Sequence, residues 1–374
     1  MLPLVLERFF KSRGLVDPTQ IDLWLNPKFS SLRDPLTLKD MDKAIARLID
    51  AFVRQEHVCV YADFDLDGTA GLALLVEGLQ SLGYKSVTYY QPKRLSEGYG
   101  LHAKAVEELK ASGVNLLVTV DVGITGMEAA QVAKDLGLDL IITDHHLPGE
   151  HLPPACAVVN PNRGDCTSGL GHLCGAGVAF YLLWALKREL KSQVSFKELL
   201  DCLAIATLTD MVPLKDENRV LVKQGLLELA QTKRVGLRLL LAELGLLGRP
   251  LSSQDVAIRF APKLNALSRL DNGTLPVELF LVEDEAQAEA LVRTVMKSND
   301  LRVSLQADAE KLAFEMHKNW KNDKFVFLAS PDFHRGVVGL VATKLSQATG
   351  TPKIISMPFW KDEILALIKK ETVK

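Results

Sequence analysis

From residue 57 to residue 159 the chain alternates short apolar runs with longer segments of helical periodicity, and this alternation restricts the fold more than any other feature. His57 to Tyr61 precedes a helical run over 69–82, Ser86 to Tyr90 precedes 102–112, and Leu116 to Val120 precedes 126–136; Leu138 to Thr143 leads into a loop, and Ala157 to Val159 closes the set. Short apolar strands separated by helices of about 12 residues predict an α/β fold, a parallel sheet with helices on both faces. In such sheets ligands lie beyond the carboxyl ends of the strands. Those ends are therefore where chemistry is to be sought.

The first end reads DFDLDG and carries Asp63, Asp65 and Asp67 at alternate positions. Aspartate is depleted in strands and costly to desolvate unless paired or bound to a cation, so the crowding predicts positive charge at its centre. A hard divalent metal is the simplest source. The competing explanation is a helix cap, in which Asp67 accepts from the first amides of the helix while Asp63 and Asp65 stay solvated in the turn. This stretch alone leaves both open. The third end, LLVTVDVG, adds Asp121, and the fourth, LIITDHHLPG, adds Asp144, His145 and His146. Caps give neighbouring strands no reason to bring an aspartate and two histidines to the same rim, so the constellation predicts a metal site.

Composition sets looser bounds. The 374 residues give room for two or three domains, and 48% hydrophobic with 24% charged residues is ordinary for a globular protein. A net charge of −2 argues against a generally basic nucleic-acid binder, although aspartates at a site would mask a local basic groove. The five cysteines show no C-x-x-C pairing and read as reduced thiols in a cytoplasmic protein. Cys166, His172 and Cys174 lack a second ligand pair and read as structural, not as a zinc site. The opening MLPLVLERFFK is too short for a signal peptide, and no apolar run reaches the roughly 18 residues of a membrane span, so no membrane association is expected.

Residues 1–52 read as a polar, mostly helical lead-in. Residues 175–190, GAGVAFYLLWALKREL, read as an amphipathic helix that only packs. Asp210 follows an apolar helix from Phe196 to Leu208 and, taken alone, suits a solvated helix end. Asp284 to Trp320 contains no Gly or Pro and predicts one long connecting helix. Beyond it, strands at Lys324–Ala329 and Lys353–Ile355 flank a helix over 337–348, a small α/β lobe across a cleft from the metal site. The expected division is thus a lead-in (1–52), a catalytic domain (53–283), the connecting helix (284–320) and a partial substrate-binding domain (321–374).

The order DFDLDG, VDVG, TDHH, ATLTDMVPLKDENR resembles the DHH phosphoesterases and, within them, the RecJ-type single-strand-specific exonucleases. LNPKFSSLRDP with DMDKAIARL, RLSEGYGL, FAPKLNALSRL and FHRGVVGLVATKL carry the same resemblance, from about residue 13 to about residue 357. It implies two divalent cations, Mn2+ or Mg2+, bridged by Asp121, with Asp63 and Asp65 on one ion and Asp67, His145 and Asp210 on the other. Asp144 would orient the imidazole and His146 face the substrate phosphate. Imidazole among oxygen ligands suits manganese better than calcium. Arg94, Arg269 and His334 match substrate-side positions, and Lys93, Lys263 and Arg219 would add diffuse attraction for phosphate. The alternatives are that Arg94 only pairs with Glu97, that Arg269 only covers a helix and that His334 is a satisfied loop histidine; Tyr99 suits base stacking or the core equally.

The implied activity is metal-dependent 5′-to-3′ hydrolysis of single-stranded DNA in repair and recombination. Other readings are a phosphodiesterase for short oligonucleotides or cyclic dinucleotides, and a catalytically weak scaffold relative. Departures from the family pattern are Lys263 in place of an arginine, Ser268 in place of a glycine, and a final stretch, MPFWKDEILALIKKETVK, without the family's phosphate-holding G-S-x-R-S-like loop or a following oligonucleotide-binding barrel. They imply either a weaker grip on the strand or a folded remnant of little activity.

Overall fold

The structure, a computed structural model, describes residues 3–270, 273–318 and 326–356. Five strands, β1 (Val58–Ala62), β2 (Val87–Tyr90), β3 (Leu116–Val120), β4 (Asp139–Thr143) and β5 (Ala157–Val159), form one sheet in the order β2-β1-β3-β4-β5. Every neighbouring pair is parallel, as the alternation predicts. Strand β1 is buried throughout because it serves two cores at once. Val58, Val60 and Ala62 belong to the apolar cluster that includes helices Leu66–Ser81, Gly175–Glu189 and Leu200–Thr209, while Cys59 and Tyr61 belong to the one that includes helices Ala103–Ala111 and Met127–Asp135. This is why its sequence is a continuous apolar run and not an alternating one. From β1 the sheet grows outward to β2 on one side and through β3 to β5 on the other. The crevice between β1 and β3 is the switch point where sheets of this order place ligands.

The helix after β1 begins at Leu66, three residues earlier than the sequence suggests, and its N-cap is Asp65, which accepts from the amides of Asp67 (2.8 Å) and Gly68 (3.1 Å). The capping role that the competing explanation gave to Asp67 therefore falls to Asp65. An alternating D-x-D-x-D does not reveal the phase at which the helix starts. Helix Gly175–Glu189 is not amphipathic as expected but almost wholly buried, the pattern of a helix that is apolar all round and central to a core. Helix Leu200–Thr209 starts later than predicted and is closed by Asp210 at its C-cap.

The lead-in is fastened to the main body. Helix Met41–Arg54 buries Met41, Ala44, Leu48 and Ala51 in the same core as the sheet. Arg219 lies with its guanidinium 3.4 Å from the centre of the Trp24 ring and donates to the Trp24 carbonyl, so it acts as a fastener for the lead-in and not as the free phosphate attractor expected. The second lobe pairs β6 (Val326–Ala329) with β7 (Lys353–Ser356) in parallel and packs helix Val338–Thr349 against them. It has its own apolar cluster, to which Ala309 and Ala313 of the long helix Glu285–Lys318 contribute with Phe333, Val337 and Val341. The expected helix end at Trp320, the strand start at Lys324 and the stretch 357–374 lie outside the described residues. Among the described residues no helix is long and apolar enough to cross a membrane.

Candidate metal centre

The ladder ends level across the sheet. Ala62 pairs with Val120, Val120 with Thr143, and Thr143 with Val159. The next residues along are therefore Asp63, Asp121, Asp144 and Asn160, one row at the carboxyl rim. The row is still bonded: the amide of Asp121 donates to Thr143 O (3.1 Å) and that of Asp144 to Val159 O (3.2 Å). Asp121 then takes a left-handed conformation, φ 61°, which aspartate tolerates better than most residues and which turns the chain sharply after β3. Gly68 permits the helix start to reach this rim, since a Cβ there would lie 2.5 Å from the carbonyl oxygen of Asp63.

Helix Gly175–Glu189 contributes more than packing. Its first amides, from Gly175 and Ala176, donate to Asp67 Oδ2 (2.6 Å) and Oδ1 (2.9 Å), placing a buried carboxylate on the positive end of a helix. A Cβ on Gly175 would sit 2.4 Å from the Cβ of Asp121, so only glycine lets this helix end approach both aspartates. The opening G-A-G of that segment was the available signal.

Ligand atoms of Asp63, Asp65 and Asp121 lie within 4.8 Å of one another, and so do those of Asp67, His145 and Asp210; Asp121, His145 and His146 form a third such group. At the centre, His145 Nε2 stands 3.2 Å from Asp121 Oδ1, 3.6 Å from Asp210 Oδ2 and 3.8 Å from Asp67 Oδ2. Asp63 Oδ1, Asp121 Oδ1, His145 Nε2 and Asp210 Oδ2 are all buried without a hydrogen-bond partner. Orphaned polar atoms of this kind are costly, and four of them in neighbouring groups linked through Asp121 and His145 call for cationic partners. Adjacent ligands of a six-coordinate ion at about 2.1 Å are about 3 Å apart, close to the His145–Asp121 spacing. The residues present thus fit divalent cations.

The electrostatics agree. Burial, reinforced by Asp65, pushes Asp63 up to about 7. Burial, with Asp67 and Asp65 nearby, pushes Asp210 up to about 7. Asp121 is raised well above the carboxylate range by burial and then by Asp67 and Asp65. Carboxylates crowded in this way resist ionisation unless a cation joins them.

Asp144 is set apart by its bonds. Its Oδ1 accepts from His146 Nδ1 (2.8 Å) and from the amides of His145 (2.7 Å) and His146 (3.1 Å), while Oδ2 accepts from Ile124 N (2.9 Å). The imidazole it orients is thus that of His146, whose side chain is 43% exposed and whose pKa is raised first by that bond. Tyr99, half exposed, stands edge-on to the His146 ring with centroids 5.8 Å apart. Sequence reasoning missed Gln91, which donates to the Asp63 carbonyl and to Thr69, and the two asparagines after β5, which donate to the histidine carbonyls. In sequence they read as ordinary polar residues after a strand.

The expected substrate residues gather at the seam between the lobes. Arg94 lies over the Phe64 ring, its guanidinium 5.0 Å from the centroid, while Glu97, its expected partner, accepts instead from Tyr90 Oη and Lys93 N. Arg269 donates to the carbonyl of Gly336 (3.0 Å), and burial, then the charges of Arg94 and Arg302, lower its pKa to about 10. His334 is two residues from that contact and accepts from Gly336 N through Nδ1 (3.1 Å). Lys93 adjoins Arg94, and Lys263 is on the helix of Arg269. Cys166, His172 and Cys174 form no site: His172 bonds Glu217 (2.8 Å), Cys166 bonds Ser168, and Cys174 bonds Thr207.

Residues 57–207 match the DHH family, N-terminal domain. The single-stranded-DNA-specific exonuclease RecJ of Bacillus subtilis (strain 168) is 37% identical over 94% of this chain and 44% of its own length. The chain thus spans under half of that relative. A crystal structure of exonuclease RecJ bound to manganese is 36% identical, with a TM-score of 0.77 over 86% of this chain and 80% of that one. RecJ of Thermus thermophilus aligns over 93% of this chain in complex with Mn2+ (33% identity, TM-score 0.79, 49% of that chain) and with Mg2+ (30%, 0.69, 47%).

Proposed function

The chain belongs to the RecJ family of DHH phosphoesterases, and from that premise we propose that it hydrolyses single-stranded DNA from the 5′ end with two divalent cations, Mn2+ or Mg2+. The observation that carries this reading is the convergence of four partnerless buried atoms, Asp63 Oδ1, Asp121 Oδ1, His145 Nε2 and Asp210 Oδ2. Asp63 and Asp65 would hold one cation and Asp67, His145 and Asp210 the other, with Asp121 shared between them. When bound, such a pair lowers the pKa of a water and neutralises charge on the scissile phosphate and on the leaving oxygen.

The remaining work belongs to the chain itself. The amides of Gly175 and Ala176 hold Asp67 in one orientation and favour its ionised form. Asp144 engages His146 Nδ1 and favours the protonated ring, so contact with a phosphate oxygen falls to Nε2. Arg94 and Arg269 supply guanidinium forks for a terminal phosphate, with His334 beside them. The 5′-to-3′ polarity and a role in DNA repair and recombination rest on the resemblance. We assign catalysis to 53–283, the connection to 284–320 and substrate holding to 321–374, which the separate apolar cluster of the second lobe supports. A reducing cytoplasm suits five unpaired cysteines.

Digestion of single strands labelled at either end, with manganese, tests the proposal. Release should begin at the 5′ label, and Asp121→Ala should lose more than the roughly 100-fold that removing an outer partner of a metal ligand costs. Undiminished release by Asp121→Ala, or no release with either metal, would contradict it.

A further inference from the structure

Asn160 stands in the same rim row as Asp63, Asp121 and Asp144, yet neither it nor Asn162 has a part in the chemistry described so far. Asn160 Nδ2 donates to the carbonyl of His146 (2.9 Å), and Asn162 Nδ2 donates to the carbonyl of His145 (2.5 Å). The opposite edges of the same stretch, the amides of His145 and His146, are held by Asp144 Oδ1. Each histidine is therefore gripped at both its N–H and its C=O, which fixes the backbone from which its ring projects.

We propose that Asn160 and Asn162 are positioning residues of the metal centre, clamping the carbonyls of His146 and His145 so that the rings keep their aim. The proposal rests on the metal-centre reading above. A turn-forming role does not account for the pattern. An Asx turn through Pro161 needs only Asn160 Oδ1 to accept from Asn162 N, which it does at 2.7 Å, and leaves both Nδ2 groups free. Both are instead spent on histidine carbonyls.

The clamp is itself anchored. Arg163 Nη1 donates to Val158 O (2.5 Å) and to Asp40 Oδ2 (2.6 Å), and Nε and Nη2 engage both oxygens of Asp165. The turn is thus tied to β5 and to the N-cap of helix Met41–Arg54. Asn162 is closely fitted as well, since a Cβ on Gly171 would lie 2.5 Å from its Oδ1. Anchoring matters because a small backbone rotation is amplified along an imidazole side chain, and an error of about 1 Å at a catalytic centre can cost about 100-fold.

Calorimetric titration of Mn2+ into the full chain, beside thermal unfolding without metal, tests the clamp. Asn162→Ala should weaken manganese affinity by about 10- to 100-fold, as loss of an outer partner does, and Asn160→Ala by less, because His146 is the more exposed ring. Asn162→Leu keeps the branched shape without the donor and is read in its place if the alanine variant does not fold; it should show the same loss. Unchanged affinity in the folded variants, even with a lowered unfolding temperature, would make the asparagines merely structural and overturn the proposal. A wild-type chain that takes up no manganese would show instead that the metal-centre reading fails, and the clamp with it.

Discussion

Two buried acidic clusters at opposite ends of helices Leu66–Ser81 and Leu200–Thr209 are built on opposite terms. At the first, Asp201 accepts from Thr232 Oγ1 (2.6 Å), from Cys202 N (2.6 Å) and from Arg234 Nε, which is 3.1 Å from both carboxylate oxygens; the other end of Arg234 pairs with Glu77. At the second, on the sheet rim, Asp67, Asp121 and Asp210 crowd around His145 while Asp63 stands beside Asp121, and among the described residues no lysine or arginine pairs with them. Burial alone does not distinguish the two. One cluster contains its own cation, and the other, among the described residues, has none.

The comparison is broken most forcefully by removing the internal cation. Arg234→Met should destabilise the protein by roughly 3–5 kcal/mol in urea unfolding, because it leaves buried carboxylates unpaired. Asp121→Asn should act in the opposite direction on the metal-free protein and raise its unfolding midpoint, since it relieves crowding that no partner offsets. If both substitutions destabilised alike, the two clusters would be the same kind of structure.

A smaller effect sharpens the contrast through pH. Asp63 and Asp210 have folded pKa values raised to about 7, above the unfolded value of about 3.9. Their contribution to the stability of the metal-free protein is fully present below about pH 4 and is lost as pH rises through about 7. Manganese must displace those protons in acid, so its affinity should fall below about pH 7, by up to about tenfold per unit for each proton released. The rise in unfolding temperature that manganese produces should be larger at pH 8 than at pH 6, and equal shifts would remove Asp63 and Asp210 from the site.

Much of the rim was legible in the sequence because a parallel sheet sends the ends of its apolar runs to one edge. That logic located Asp63, Asp65, Asp67, Asp121, Asp144, His145 and His146, and the resemblance added Asp210. What stayed hidden depends on contacts between distant segments. Asp67, which the competing explanation made the cap of its own helix, is held by the start of the helix at Gly175, more than 100 residues away, and apolar periodicity says nothing of what a helix end touches. Asn160 was passed over because the register that levels it with Asp144 is set by the pairing of β4 with β5 and leaves no mark on either strand alone. The order β2-β1-β3-β4-β5, which puts the switch point between Asp63 and Asp121, is likewise a property of packing. Arg219 shows the converse: a lone cation in sequence suggests phosphate, and only the fold reveals that Trp24 has claimed it.

The central claim is tested most directly by anomalous diffraction from crystals of the full chain soaked in manganese. The account predicts two peaks flanking Asp121, one beside Asp63 and Asp65 and the other beside Asp67, His145 and Asp210. A rim without peaks, or manganese bound only elsewhere, would contradict it.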